Sequence, residues 1–403
     1  MQQAIPINPE ILRWARIEAG YSLSDAVHFA DIGSPRQKKG EPKLLPEARL
    51  DGWESGKDAP SLNQLEQLAK AYRRPVITFF LQEPPEKIGT GADYRTVGDR
   101  DSRKDRPEFS ALRRRLAMLH QELCTLAKSD GSQKLPFIGS LSEDTPVTEF
   151  VDNMRSVLKV SMEQQFTVRD ENALLKCLRV AAQNAGIYVL FAGDLGSHHS
   201  RIAPEDFRGI ALADELAPMV VVNPNDAKAA QVFTLVHELV HLWLGSSGVS
   251  NTDVFGNGAI NSNKEKFCNS IAAEFLVPES VLREEWDISD GTLQSTVDAL
   301  AKVFKVSGAV IGRRLLDLKI INSSDYGDLY AFYRARWESQ KERQKEIQEP
   351  DSSGPSRTMM DKYRLGDKTI HTLIGAAQDG RIGTLDAARL MNIPVSRFDK
   401  VMQ

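Results

Sequence analysis

The chain has 403 residues, enough for two or three domains, and its 41% hydrophobic and 26% charged content is ordinary for a globular protein. Its formal net charge of −4 excludes a polybasic nucleic-acid binder, so any DNA contact must come from a local patch. Cys124, Cys177 and Cys268 stand far apart with no Cys-x-x-Cys pair, which excludes a disulfide framework and a cysteine-rich zinc site. The start, Met1-Gln-Gln-Ala-Ile-Pro6, lacks the basic and apolar segments of a signal peptide. No run of about 18 apolar residues marks a membrane span. The expectation is a cytoplasmic location with no membrane partner.

In chain order, Ile11, Leu12, Trp14 and Ala15 suit one amphipathic helix ending near Gly20. Ser22 caps a second, roughly Leu23 to Phe29. A breaker-rich loop from Gly33 to Pro42 follows, then a third helix from Pro46 to Glu54. Ser61 opens a fourth helix that Pro75 stops. Residues 84–106 read as a charged linker. A long helix is expected from Pro107 to about Lys128, with more helical pattern over 148–186. Three apolar runs, Ile187–Phe191, Gly209–Ala213 and Met219–Val222, read as strands. Further helices are expected near 264–276, 290–304 and 307–318. A polar stretch, Gln348–Ser356, separates a small helical tail. The fold class is therefore α+β and predominantly α-helical. The expected division is 1–83, a linker at 84–106, a central domain at 107–345, and a linker with a helical region at 346–403.

The segment Asp226–Leu244 is so apolar that a helix there must be buried on most sides. One polar stripe interrupts it. Thr234, His237, Glu238 and His241 stand at i, i+3, i+4 and i+7, on one face. Burying two imidazoles and a carboxylate without partners is costly. Two histidines four residues apart offer ring nitrogens from successive turns toward one point, as a tetrahedral metal needs, and one Zn2+ ion satisfies them. Glu238 flanks that point as a base able to take a proton from water and pass it to a leaving amine. The bland alternative is a pair of hydrogen-bonded helix histidines.

A third ligand is needed, and the next helix offers Glu265 and Glu274. Nine residues make half a rotation at about 100° per residue, so both cannot face one ion. Periodicity prefers neither, and either acid can instead be a solvated helix charge.

From about Asn184 to Pro278 the chain resembles the ImmA/IrrE family of metallopeptidases. That family shows a Phe-Thr-x-x-His-Glu-x-x-His helix, matched by Phe233 through His241. It also shows Glu-x-x-Ala-Asn followed by Phe-Ala-Ala-Glu-Leu-Leu-Met-Pro. Here the sequence reads Glu265-Lys-Phe-Cys-Asn269, then Ile271-Ala-Ala-Glu-Phe-Leu-Val-Pro278. The resemblance implies a zincin-like central domain, metal ligands His237, His241 and Glu265, and Glu238 as the catalytic base. Cys268, where the family has Ala, reads as a small buried side chain. Residues 7–81 resemble the Xre-type helix-turn-helix often fused to such domains, through Leu12–Arg16, Ala19–Leu23 and Trp53–Gly56.

This N-terminal reading implies contact with double-stranded DNA through residues 7–81. The spacing weakens it, because the gap between the second and third helices is long. So does the charge, with eleven Lys/Arg and eleven Asp/Glu in residues 1–83. Arg36, Lys38, Lys39 and Lys43 are the local basic cluster. The functional expectation is a zinc endopeptidase that cleaves a partner protein, a helix-turn-helix repressor or a toxin encoded nearby, with oligomerisation left open. The other reading is a DNA-binding regulator or antitoxin-like protein whose zinc domain senses or merely holds structure.

Overall fold

The computed structural model describes residues 7–33, 45–85, 107–196, 200–250, 263–288, 291–346 and 355–402. The basic cluster Arg36 to Lys43, most of the 84–106 linker and most of the 348–356 break lie outside the described residues. The chain divides into two compact units. One comprises Met1–Asp93, Gly98–Leu119 and Asp194–Ile202; the other comprises Tyr94–Val97, His120–Gly193 and Ala203–Gln403.

The first unit opens with α1 (Pro9–Glu18), α2 (Leu23–Phe29), α3 (Pro46–Glu54) and α4 (Leu62–Ala71). Local chemistry sets these ends. Asn8 accepts the Glu10 N–H ahead of Pro9, and Ser22 with Asp25 and Ser61 with Gln64 form capping boxes. Leu12, Ala15, Leu50, Trp53, Leu65, Leu68, Tyr72 and Phe79 fill the core between them. Arg16 donates to both carboxylate oxygens of Glu54 at 2.7 and 2.8 Å, a bidentate pair that ties α1 to α3. The fifth helix, α5 (Pro107–Ser129), starts in this unit, and its residues from His120 onward belong to the other.

The second unit is predominantly helical around a small sheet. It runs through α6 (Val147–Leu158), α7 (Met162–Thr167), α8 (Glu171–Asn184), β1 (Tyr188–Phe191), β2 (Gly209–Leu212) and β3 (Met219–Val222). Then come α9 (Lys228–Trp243), β4 (Gly248–Ser250), α10 (Asn263–Leu276), α11 (Glu279–Asp287), α12 (Leu293–Phe304), α13 (Gly308–Asp317) and α14 (Ser323–Glu346). The C-terminal helices are α15 (Arg357–Leu365), α16 (Asp367–Gln378), α17 (Thr384–Met391) and α18 (Phe398–Met402). The sheet order is β1-β3-β2-β4, with β1 parallel to β3 and β2 antiparallel to both its neighbours. Strands β1 to β3 are buried on both faces, which is why they read as unbroken apolar runs. The sequence pattern places every strand before the long apolar helix. The fourth strand instead follows that helix and lies on the open edge beside β2. No described helix is long and apolar enough to cross a membrane.

Candidate metal centre

Helix α9 packs against β2, β3, α8 and α10, and every residue from Gln231 to Trp243 is buried. Its start is anchored by polar groups. Arg208, just before β2, pairs with Asp226 at 2.6 Å, and Gln231 donates to the Asp226 carbonyl at 2.6 Å. These contacts fix how far along β2 the helix sits, and so where its histidines arrive.

Glu238 is fully buried. A Cβ added to Gly209, the first residue of β2, would lie 2.3 Å from Glu238 Oε1. The missing side chain at Gly209 is therefore what leaves room for the carboxylate. Neither Gly209 nor Ser246 stands out in the sequence. The Ser246 hydroxyl lies 3.1 Å from His241 Nδ1 and 3.4 Å from the His241 carbonyl oxygen. With the hydroxyl donating to the carbonyl, Ser246 accepts the Nδ1 hydrogen. The Nε2 lone pair is then left free to bind a metal.

The two imidazoles meet Glu265 of α10. His237 Nε2 lies 3.2 Å from His241 Nε2, and Glu265 carboxylate oxygens lie 3.2 Å from His237 Nε2 and 3.4 Å from His241 Nε2. Tetrahedral zinc with bonds of about 2.0–2.1 Å holds its ligand atoms about 3.3–3.4 Å apart, so this spacing fits the ion directly. The charges agree. Burial opposes a charged His237, but Glu265 and Glu238 outweigh it and raise its affinity for a proton. Burial likewise opposes an ionised Glu265, yet the two imidazoles hold its carboxyl well below the usual carboxylate range. A buried place that attracts a proton this way is also a place for a cation.

Glu274, which periodicity alone does not separate from Glu265, goes elsewhere. Its carboxylate pairs with Arg314 of α13 and accepts the Glu279 N–H at 3.2 Å, at the start of α11. Cys268 is fully buried with its sulfur 3.8 Å from His241 Nδ1, and burial pushes its thiol well above the ordinary value. It is a packed side chain of the core.

Among the described residues a second group, His120, Cys124 and Asp214, also brings three donor atoms within 4.8 Å of one another, as His237, His241 and Glu265 do. The sequence profile of the IrrE N-terminal-like domain, peptidase family M78, matches residues 182–316. That span runs from the end of α8 into α13 and contains His237, Glu238, His241 and Glu265. Residues 182–316 are thus an IrrE-like peptidase domain with a candidate metal-binding site. No curated relative and no solved structure matches the chain.

Proposed function

We propose that the protein is a zinc-dependent endopeptidase in which His237, His241 and Glu265 hold the metal and Glu238 is the base. The observation that carries this reading is the convergence of both histidine Nε2 atoms and the Glu265 carboxylate at ligand-to-ligand spacing. When bound, zinc supplies Lewis acidity toward water and the scissile carbonyl. Glu238, next to His237 and walled by Gly209, takes a proton from the attacking water and returns it to the leaving amine. Ser246 holds the His241 ring in one orientation. The wrapping of α9 by apolar neighbours limits bulk water around the base.

The substrate is a specific partner protein, a helix-turn-helix repressor or neighbouring toxin in a phage, mobile-element, toxin–antitoxin or stress-response circuit. The N-terminal helical unit recognises that partner or its DNA site. Its α1 to α4 order and the Arg16–Glu54 pair give it a rigid frame for either role.

Glu238→Gln tests the reading. The variant retains one zinc at the His237 site but loses cleavage by at least about 100-fold, the lower range for removal of a general base. A comparison of protein N-termini in cells making wild type or Glu238→Gln then reveals the cleaved partner. Identical N-termini with full biological function in the variant would instead favour the DNA-binding regulator.

A further inference from the structure

A second set of donors lies in the same compact unit but on different elements from the histidine motif. His120 and Cys124 stand four residues apart on α5, hence on one face. Asp214 comes from the connection between β2 and β3. The three donor atoms lie within 4.8 Å of one another. His120 Nε2 is 3.6 Å from Cys124 Sγ and 3.1 Å from the Ala217 carbonyl oxygen. Zinc bonded at about 2.3 Å to sulfur and about 2.0–2.1 Å to nitrogen holds those two atoms about 3.6 Å apart in tetrahedral geometry.

We propose that His120, Cys124 and Asp214, with the Ala217 carbonyl oxygen as fourth donor, form a second zinc site with a structural role. Four protein donors leave no open position, unlike the three-ligand site on α9 and α10. The ion joins the second half of α5 to the β2–β3 connection, two pieces about ninety residues apart in sequence.

His120 is only 3% exposed. In the ion-free ring Nε2 donates its hydrogen to the Ala217 carbonyl oxygen. To ligate zinc the ring takes the other tautomer, with the hydrogen on Nδ1 and the Nε2 lone pair toward the ion. Asp214 is set in place independently of the thiol, since its Oδ1 accepts the Leu216 and Ala217 N–H groups at 2.9 and 2.8 Å. On binding, Zn2+ forms bonds to nitrogen, sulfur and oxygen, and the thiol proton leaves to solvent. The resulting thiolate and the Asp214 carboxylate balance the two positive charges, which suits a buried site. Imidazole, thiolate and carboxylate together select zinc over calcium or magnesium.

The test uses the full chain loaded with Co2+ in place of zinc, because thiolate ligation gives cobalt a near-ultraviolet charge-transfer band. Wild type is expected to take up two Co2+ and show the band. The His237→Ala/His241→Ala double variant keeps one Co2+ and the whole band. Cys124→Ser loses the band and one equivalent, whereas Cys268→Ser keeps both. A wild-type chain that binds one Co2+ without a thiolate band overturns the proposal, whatever the variants do. So does a band that disappears with Cys268→Ser and survives Cys124→Ser.

Discussion

The N-terminal helical unit and the IrrE-like domain are both built by packing apolar helix faces, yet they differ in what they bury. In the first, the core from Leu12 to Phe79 is almost wholly apolar, and its main internal charges, Arg16 and Glu54, satisfy each other. In the second, α9 carries His237, Glu238 and His241 into the same kind of interior. Apolar periodicity explains both folds equally well. Among the described residues only the second brings two buried imidazoles and a carboxylate to one point, and that difference marks it as the candidate site for chemistry.

The largest effect should come from Glu265→Ala, which removes one of three donors. Even a group that only orients a metal ligand is worth about 10–100-fold in affinity, so loss of a ligand should weaken zinc by more than about 100-fold. Metal analysis after dialysis checks this, counting the α9–α10 site alone in a Cys124→Ser background. Glu274→Ala is its counterpart on the same helix. It should leave zinc in place but strip Arg314, itself only 7% exposed, of its carboxylate, at a cost of about 3–5 kcal/mol in urea unfolding. Zinc lost from Glu274→Ala and retained by Glu265→Ala would reverse the two roles and break the contrast between a metal-binding and a structural acid.

A smaller effect is expected at Ser246, which touches a ligand and not the ion. Ser246→Ala removes the acceptor for His241 Nδ1 and should weaken zinc by about 10-fold, within the range for such orienting groups, with little change in unfolding midpoint. A competition titration with a chromophoric chelator reads this directly. Unchanged affinity would mean that packing alone orients the His241 ring.

The candidate site is more legible in the sequence than its surroundings. The His237–His241 stripe is visible because both spacing and apolar context are local. Helix starts at Leu23, Pro46, Leu62 and Pro107 are equally readable, since a capping serine or a first-turn proline marks each. The choice between Glu265 and Glu274 is legible only through family resemblance. Periodicity shows that they face apart, but not which face meets α9. Strand β4 has three residues, Gly248 to Ser250, too few for any alternation. Helix α14 has only a short stripe to announce it, Tyr326, Leu329, Tyr330 and Tyr333, and charged and polar residues dominate its sequence from Arg334 to Glu346. His120, Cys124 and Asp214 are illegible for another reason. About ninety residues separate the helix pair from the acid, and only the folded sheet brings them together.

The smallest expected effect belongs to the N-terminal unit and sharpens its contrast with the IrrE-like domain. Ser22 accepts the Asp25 N–H at 3.1 Å, and Asp25 accepts the Ser22 N–H at 3.1 Å, closing the capping box at the start of α2. Ser22→Ala leaves one of these first-turn N–H groups to water and should cost about 1 kcal/mol. The hydroxyl also donates to Asp25 at 2.6 Å and holds its carboxyl below the ordinary value, with the Ser22 backbone N–H adding to the effect. A depressed folded-state value means that this stabilisation is present above the unfolded carboxyl pKa and fades as pH falls through the folded one. The wild-type advantage over Ser22→Ala should therefore shrink on acidification, which urea unfolding at a series of pH values measures. Zinc content should not change at any of these pH values relative to wild type, because the described polar groups of this unit cap its helices or, as Arg16 and Glu54 do, pair with each other. A Ser22→Ala variant that lost zinc at neutral pH would show that the two units are not energetically separate, and would remove the basis for treating one as scaffold and the other as site.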